Sequence, residues 1–273
     1  MVEVLVHFVA PALVGVLIGI ASGLLGIGGG TVMVPIFRLV FGMSATMSTA
    51  TSLFAIIPTS ISGAISHVKG KTCIPALGIA AGLGGACLSP VGVWLAQLSP
   101  DWLVMLAAAL IIGYSAINMF KKAFKIPRDD QPAAGVDASA PTADDSSLSR
   151  KQLLQGAAIG LVAGLASGYV GVGGGFIMVP LMLSIIGIPM RKASGTSLIA
   201  VMILAIPGVI EQGIIGNINY LAGIAIVIGT IPGAVIGARL VTKVPERTLR
   251  LLFGCFLIVA AVMLVLNEVG IFG

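Results

Sequence analysis

Two glycine-rich segments are the features of this sequence best suited to bind a ligand. Each interrupts an apolar run, reads GxGGG and leads into the residues Met-Val-Pro. A run of glycines breaks a helix and leaves backbone N–H and C=O groups without intrahelical partners. In an apolar chain such groups are tolerated where they are buried in protein or line a polar cavity. The two triplets are Gly28, Gly29 and Gly30 in the first segment and Gly173, Gly174 and Gly175 in the second.

The residues that follow each triplet predict a site for a small oxyanion. A short helix begins near Thr31 or Phe176, and its first N–H groups have no intrahelical acceptor. These groups carry the positive end of the helix dipole, so they bind an anion without a charged side chain. Hydroxyl groups at the start of the next helix in each copy can donate further hydrogen bonds. The hydroxyls belong to Thr49, Thr51, Ser52, Ser194, Thr196 and Ser197.

Helix packing is the alternative role of the same small residues. Gly, Ser and Thr let membrane helices approach closely with no ligand involved. Two features favour binding: each triplet is longer than packing requires, and it is duplicated together with its hydroxyl run. A dinucleotide site is disfavoured because the spacing is not GxGxxG and no soluble βαβ unit surrounds it.

The glycine segments belong to a longer internal repeat with a constant offset of 145 residues. The stretch Gly15–Pro35 aligns with Gly160–Pro180 without a gap, and 12 of the 21 aligned residues are identical. Broken hydrophobic segments at corresponding positions of two repeats are typical of the binding site of a membrane transporter. We therefore expect both copies to contribute to one site near the middle of the membrane.

The composition places the chain in a membrane. Of its 273 residues, 58% are hydrophobic and 9% are charged, and the mean hydropathy is +1.12. A soluble domain needs more polar surface, so we predict a polytopic membrane protein. The net charge of +5 does not indicate nucleic-acid binding, because the basic residues form short clusters between apolar runs. The expected partners are a small organic or inorganic anion and membrane lipids, and the oligomeric state is left open.

The apolar runs and the repeat predict an all-α fold of two halves. Each half contains a glycine-broken helix pair, as two spans or one re-entrant hairpin, and three further transmembrane helices. Residues 1–125 form the first half and residues 151–273 the second, and together they make one transport domain. Residues 126–150 are rich in Pro, Ala, Asp and Ser, which predicts a disordered linker.

Lysine and arginine residues near span ends favour the cytoplasm and predict the topology. In the first half the positive loops are 67–71 and 121–125. In the second half they are 191–192 and 239–250, which align with loops of the first half that lack positive charge. The halves are therefore expected to be inverted repeats in the cell membrane, with the linker cytoplasmic and both termini extracytoplasmic. His67 is expected to be an ordinary loop residue, and a pH-sensitive gate is its alternative role.

The duplicated GxGGG and Met-Val-Pro block, with the runs TATS at 49–52 and GTS at 195–197, resembles the TauE/SafE sulfite exporter family. The resemblance covers the chain apart from the linker, whose length departs from the compact pattern of the family. It implies a permease for sulfite, sulfonates such as sulfoacetate, or other sulfur-containing anions. It leaves open the exact substrate, the direction of transport and the energy source.

Other classes of protein fit the sequence less well. An intramembrane serine hydrolase around Ser115 would need a histidine base, and the two histidines, His7 and His67, lie in a different context. We therefore expect no enzymatic activity and no cofactor. A metal site is disfavoured because the apolar runs hold no Cys, His or carboxylate cluster. Transport of another small solute and a non-transport accessory role stay open, although an accessory protein would not require two symmetric broken helices.

Overall fold

Ten helices joined by short loops make up the described parts of the chain in a computed structural model. The structure describes residues 10–124 and 149–268, and within these ranges it contains no strand. The predicted all-α class is confirmed. The helices are α1 (Ala10–Leu25), α2 (Gly30–Leu39), α3 (Ala45–Lys69), α4 (Pro75–Leu98), α5 (Asp101–Phe124), α6 (Arg150–Val170), α7 (Gly175–Leu181, extended by the π-helical turn Met182–Ile186), α8 (Met190–Ile215), α9 (Tyr220–Leu240) and α10 (Glu246–Glu268).

Short polar side chains determine where several helices begin. The Ser44 hydroxyl accepts a hydrogen bond from the Met47 N–H at the start of α3 (3.2 Å). Ser149 forms a capping box with Gln152 at the start of α6. Each bond satisfies an N–H group that a helix start otherwise leaves free.

Seven of the helices, α3 to α6 and α8 to α10, are long and apolar enough to cross a membrane. Helices α1, α2 and α7 with its π turn are shorter and also apolar. At 1.5 Å per residue, the ten residues of α2 extend over about 15 Å, which is about half of a bilayer core. The predicted polytopic membrane class is confirmed.

The most extensive helix pairs join opposite halves of the chain: α4 packs along α6, and α1 packs along α9. In the second of these pairs, Gly15 lies against Gly229 and Gly23 lies against Ala234, so α1 and α9 run parallel. A Cβ atom on Gly23 would lie 2.1 Å from the carbonyl oxygen of Ala234, so this helix contact requires glycine. The pair of α4 and α6 is parallel in the same way.

Helices α3 and α8 form the centre of the bundle. They pack against each other, and each also packs against the fourth helix of the opposite half, α3 on α9 and α8 on α4. Ile56 and Val201 are fully buried in this core. Ile56 is the twelfth residue of the 25 in α3, and Val201 is the twelfth of the 26 in α8. Both residues therefore mark the middle depth of the bundle.

The predicted linker at residues 126–150 lies outside the described residues except for its last two positions. Helix α6 begins at Arg150. The extent of the linker, its disorder and the division into halves at residues 125 and 151 stay predictions.

Candidate functional site

Each glycine segment forms a tight loop between two helices. The first glycine loop, residues 26–29, joins α1 to α2, and the second glycine loop, residues 171–174, joins α6 to α7. The backbone φ angle is +80° at Gly28 and +76° at Gly173. Residues with a side chain rarely adopt these values, so the glycines allow the chain to change direction here.

The two glycine loops contact each other at the middle depth of the bundle. A Cβ atom on Gly30 would lie 2.3 Å from the carbonyl oxygen of Val172. A Cβ atom on Gly175 would lie 2.4 Å from the carbonyl oxygen of Gly26. The same Cβ atom on Gly30 would lie 2.6 Å from Cδ1 of Ile56, a residue halfway along α3. The starts of α2 and α7 are thus adjacent inside the protein.

The first turn of α2 offers backbone N–H groups to a ligand. The Met33 N–H donates to the carbonyl oxygen of Gly29 at 3.1 Å. Within the described residues, no acceptor meets the N–H groups of Gly30 and Thr31, and both residues are buried. An oxyanion on the helix axis would accept from both groups and would interact favourably with the helix dipole.

Three of the predicted hydroxyls donate to the protein backbone. Thr49 and Ser194 each donate to a carbonyl oxygen one turn earlier in their own helix, at 2.8 and 2.9 Å. Ser197 donates to the carbonyl oxygen of Gly26 at 2.7 Å and thereby holds the first glycine loop against α8. The role of these three hydroxyls as ligand donors stays a prediction.

Two further predicted hydroxyls join the halves of the protein. The Asn219 N–H donates to Oγ1 of Thr51 at 3.0 Å, and the Ile74 N–H donates to Oγ1 of Thr196 at 2.9 Å. These bonds are equivalent in the repeat, and each caps the start of the fourth helix of the opposite half. They use a lone pair of the hydroxyl oxygen and not its hydrogen, so a donor function stays a prediction.

Carboxylates cap the helices that carry the hydroxyl runs. Asp101 accepts from the Ala45 N–H at the start of α3 (3.3 Å). Its repeat equivalent, Glu246, accepts from the Met190 N–H at the start of α8 (2.7 Å) and pairs with Arg250. The anion-attracting ends of α3 and α8 are therefore occupied by carboxylates of the protein itself. The starts of α2 and α7 are not capped in this way.

Buried hydroxyls without hydrogen-bond partners lie beside the first glycine loop. A Cβ atom on Gly28 would lie 3.4 Å from Oγ of Ser60. A Cβ atom on Gly29 would lie 3.7 Å from Cβ of Ser22. The sequence does not distinguish Ser22 or Ser60, because an isolated serine in an apolar helix resembles any other small packing residue. Within the described residues, the unpartnered buried hydroxyls are those of Ser22, Thr31, Ser48, Ser52, Ser60, Ser89 and Ser167.

His67 is buried in the last turn of α3, so its assignment as an ordinary loop residue was wrong. Its Nε2 lies 2.8 Å from the carbonyl oxygen of Gly23, and its Nδ1 lies 2.7 Å from the Thr72 hydroxyl. A neutral ring with its hydrogen on Nε2 donates to the first and accepts from the second. The repeat equivalent is a second polar pair, in which the buried Gln212 accepts from the half-buried Asn217 at 2.8 Å.

The candidate site is closed to solvent. Every predicted site residue is buried, and Thr49 is the most exposed of the hydroxyl residues at 4%. The neighbours of the glycine loops named above are uncharged, so dipoles rather than ionised side chains create the local field. The described residues contain no group of three or more His, Cys, Asp or Glu side chains that could hold a metal ion.

A cavity of about 510 Å³ opens between the last turns of α3 and α9. Ser62, Ser66, Lys69 and Arg239 line it. The two cationic side chains, Lys69 and Arg239, come from opposite halves of the chain. Anions that approach this end of the bundle therefore meet a positive surface.

Comparison with known proteins places the chain in a family. The sequence profile of the family described as "Sulfite exporter TauE/SafE" matches residues 11–264. "Probable membrane transporter protein YunE" of Bacillus subtilis is 27% identical over 97% of this chain and 99% of its own. A "Probable membrane transporter protein" of Haemophilus influenzae is 30% identical over 93% of this chain and 97% of its own. One of Methanocaldococcus jannaschii, MJ0441, is 24% identical over 93% and 94%. No solved structure matches the chain significantly.

These matches extend across both glycine loops and nearly all of the helical part of the chain. The names of the relatives describe membrane transporters and specify no solute. The chain belongs to the TauE/SafE sulfite exporter family and is a multi-pass membrane transporter.

Proposed function

We propose that this protein moves small sulfur-containing oxyanions, such as sulfite or sulfonates, across the cell membrane and binds them where the two glycine loops meet. The start of α2 carries the proposal. There the buried N–H groups of Gly30 and Thr31 lack acceptors, and unpartnered buried hydroxyls lie next to them. Buried polar groups are nearly always hydrogen-bonded in native proteins, and one oxyanion would satisfy several of these donors at once.

The polarity of the groups favours an anion over a cation. Small hard cations are held by carbonyl and carboxylate oxygens. In the first glycine loop, the carbonyl oxygen of Gly26 already accepts from Ser197, and the side chains nearest Gly28 and Gly29 include no carboxylate. The positive end of the α2 dipole favours negative charge at the same point.

We also propose that the halves are inverted in the membrane, with the linker cytoplasmic and both termini extracytoplasmic. Helix α3 runs parallel to α9. Oγ1 of Thr51 accepts from the Asn219 N–H near the start of both helices, and further along both helices Oγ1 of Thr59 lies 2.6 Å from Oγ1 of Thr230. Helix α1 is also parallel to α9, while α6 and α8 are parallel to α4. Because only residues 70–74 connect α3 to α4, these two long helices run antiparallel. The first helices of the two halves, α1 and α6, then point in opposite directions, as inversion requires.

The closed site fits a transporter that opens to one side at a time. Opening at one end would separate Gly26 from Ser197, which now hold the first glycine loop against α8. Opening at the other end would separate Gly171 from Thr49, where a Cβ on the glycine would lie 2.2 Å from that of the threonine. The bound anion would remain between these two contacts.

A binding and flux screen of the purified protein tests the proposal. The solutes are sulfite, sulfate, thiosulfate, sulfoacetate, taurine and a neutral control. A solute that binds the folded state alone at 100 times its Kd adds about 2.7 kcal/mol of stability, so the melting temperature rises with its concentration. We expect at least one sulfur oxyanion to produce this rise and to exchange across proteoliposomes.

Two glycine variants serve as test and control in the same screen. Gly29→Val places a β-branched side chain at a φ of +87° beside the site and should abolish the anion response. Gly113→Ala should behave as wild type, since no atom lies within 4 Å of its Cβ position. A wild-type protein that responds to the neutral solute and to none of the anions would contradict the proposed substrate class.

A further inference from the structure

We infer that the two glycine loops contribute unequally, and that the oxygens of the anion bind at the first loop to the hydroxyls of Ser22, Thr31 and Ser60. This inference rests on the proposed function and adds to it the residues that determine where the anion lies. It replaces two equivalent half-sites with a single asymmetric one.

The three hydroxyls of the first loop share the same condition. All three side chains are fully buried, and none has a hydrogen-bond partner in the described part of the chain. Ser60 and Ser22 lie beside Gly28 and Gly29, respectively, and Thr31 belongs to the first turn of α2. They therefore lie beside or within the residues that lead into the first turn of α2. A single acceptor at this point would satisfy hydroxyls and N–H groups together.

The corresponding positions of the second half are mostly apolar. At the constant offset of 145 residues, Phe176 replaces Thr31 and Ala205 replaces Ser60. Only Ser22 keeps a hydroxyl counterpart, Ser167, which is likewise buried and unpartnered. Two of the three hydroxyl donors are therefore missing from the second loop.

The backbone of the second half is also less suited to bind an anion. Helix α7 has seven α-helical residues before it changes to a π turn, whereas α2 has ten. The N–H group of Gly175 already donates to the carbonyl oxygen of Gly173, while that of Gly30 has no acceptor. Two more unpartnered hydroxyls, those of Ser48 and Ser52, lie in α3 on either side of Thr49, which packs against the second loop. Neither occupies the positions equivalent to Thr31 and Ser60, which are Phe176 and Ala205.

Ser22 and Ser167 supply a matched pair of variants. They are equivalent in the repeat, equally buried and equally without partners, so Ser→Ala has the same local cost at both. Sulfite affinity is measured by calorimetry on the purified full-length variants, with the melting temperature as a folding control. We expect Ser22→Ala, Ser60→Ala and Thr31→Val each to raise the Kd for sulfite about ten- to a hundredfold. Ser167→Ala should change it less than about threefold.

Either of two outcomes would overturn the inference. Equal weakening by Ser22→Ala and Ser167→Ala would show a symmetric site, and wild-type affinity in all the first-loop variants would show that these hydroxyls only pack. If Ser60→Ala folds poorly, Ser60→Cys keeps the side-chain volume, removes the hydroxyl and should show the same loss of affinity. The affinity of the wild-type protein for sulfite tests the proposed function, whereas the ratio within the matched pair tests the asymmetry.

Discussion

The bond from the Ile74 N–H to the Thr196 hydroxyl joins the halves of the protein, and Thr196→Val removes it with little change in volume. The bond is 2.9 Å long and buried. An ordinary hydrogen bond contributes about 1 kcal/mol net, and a buried donor left without a partner costs about 1–3 kcal/mol. Because Pro75, the first residue of α4, has no N–H of its own, the Ile74 N–H is the group at this helix start that loses its acceptor.

The equivalent substitution in the other half should have a smaller effect. The bond from Asn219 to Thr51 is 3.0 Å long and only partly buried. We expect Thr196→Val to cost about 1–3 kcal/mol of stability and Thr51→Val about 0.5–1.5 kcal/mol, because a partly exposed N–H can find water. The sites are in different helix contacts, so the double variant should show nearly the sum of the two effects.

The assay is the melting temperature of ligand-free protein in detergent, supported by the denaturant midpoint where unfolding is reversible. Thr196→Ser keeps the oxygen and should stay close to wild type, apart from the lost methyl group. Unchanged stability in both valine variants would refute the capping role. A loss of anion affinity in Thr196→Val would indicate ligand contact only if Thr196→Ser restored it.

Further substitutions test the glycine loops, His67 and the topology. Gly30→Ala should impair folding or transport, because its Cβ would lie 2.3 Å from a carbonyl oxygen of the second glycine loop. The control Gly113→Ala should keep or raise the melting temperature, because it removes a helical glycine without a clash. His67→Leu should lower the melting temperature more than His67→Gln, since glutamine can still donate and accept; equal losses would contradict the role of both ring nitrogens. Cysteine labelling should find a cysteine at Ser139 accessible from the cytoplasm and one at Gly273 accessible from outside, and labelling of both from one side would contradict inversion.

The helical architecture could be predicted from the sequence because the repeat carries the signal twice. Equivalent apolar runs and equivalent glycine segments support each other at the offset of 145 residues. The membrane class followed from composition alone, since 9% charged residues cannot cover a soluble protein of this size. The same repeat identified the loops and hydroxyl residues that occupy equivalent positions in the two halves.

The partners of the polar groups could not be predicted, because they come from distant parts of the chain. Thr196 bonds to Ile74 across 122 residues, and Ser197 bonds to Gly26 across 171. Thr51, Thr196 and Ser197 looked free to bind a ligand, yet each has a hydrogen-bond partner in the opposite half. His67 lies close to charged loop residues in the sequence, yet its ring is buried by contacts with α1 and α8 that only the folded chain brings together.

A crystal structure of the protein in saturating sulfite is the most direct test of the central claim. Bound sulfite should have oxygens within about 2.7–3.2 Å of the N–H groups of Gly30 and Thr31. At least one of the Ser22 and Ser60 hydroxyls should be within the same distance. Sulfite bound only in the cavity of Lys69 and Arg239, or only at the second glycine loop, would contradict the account.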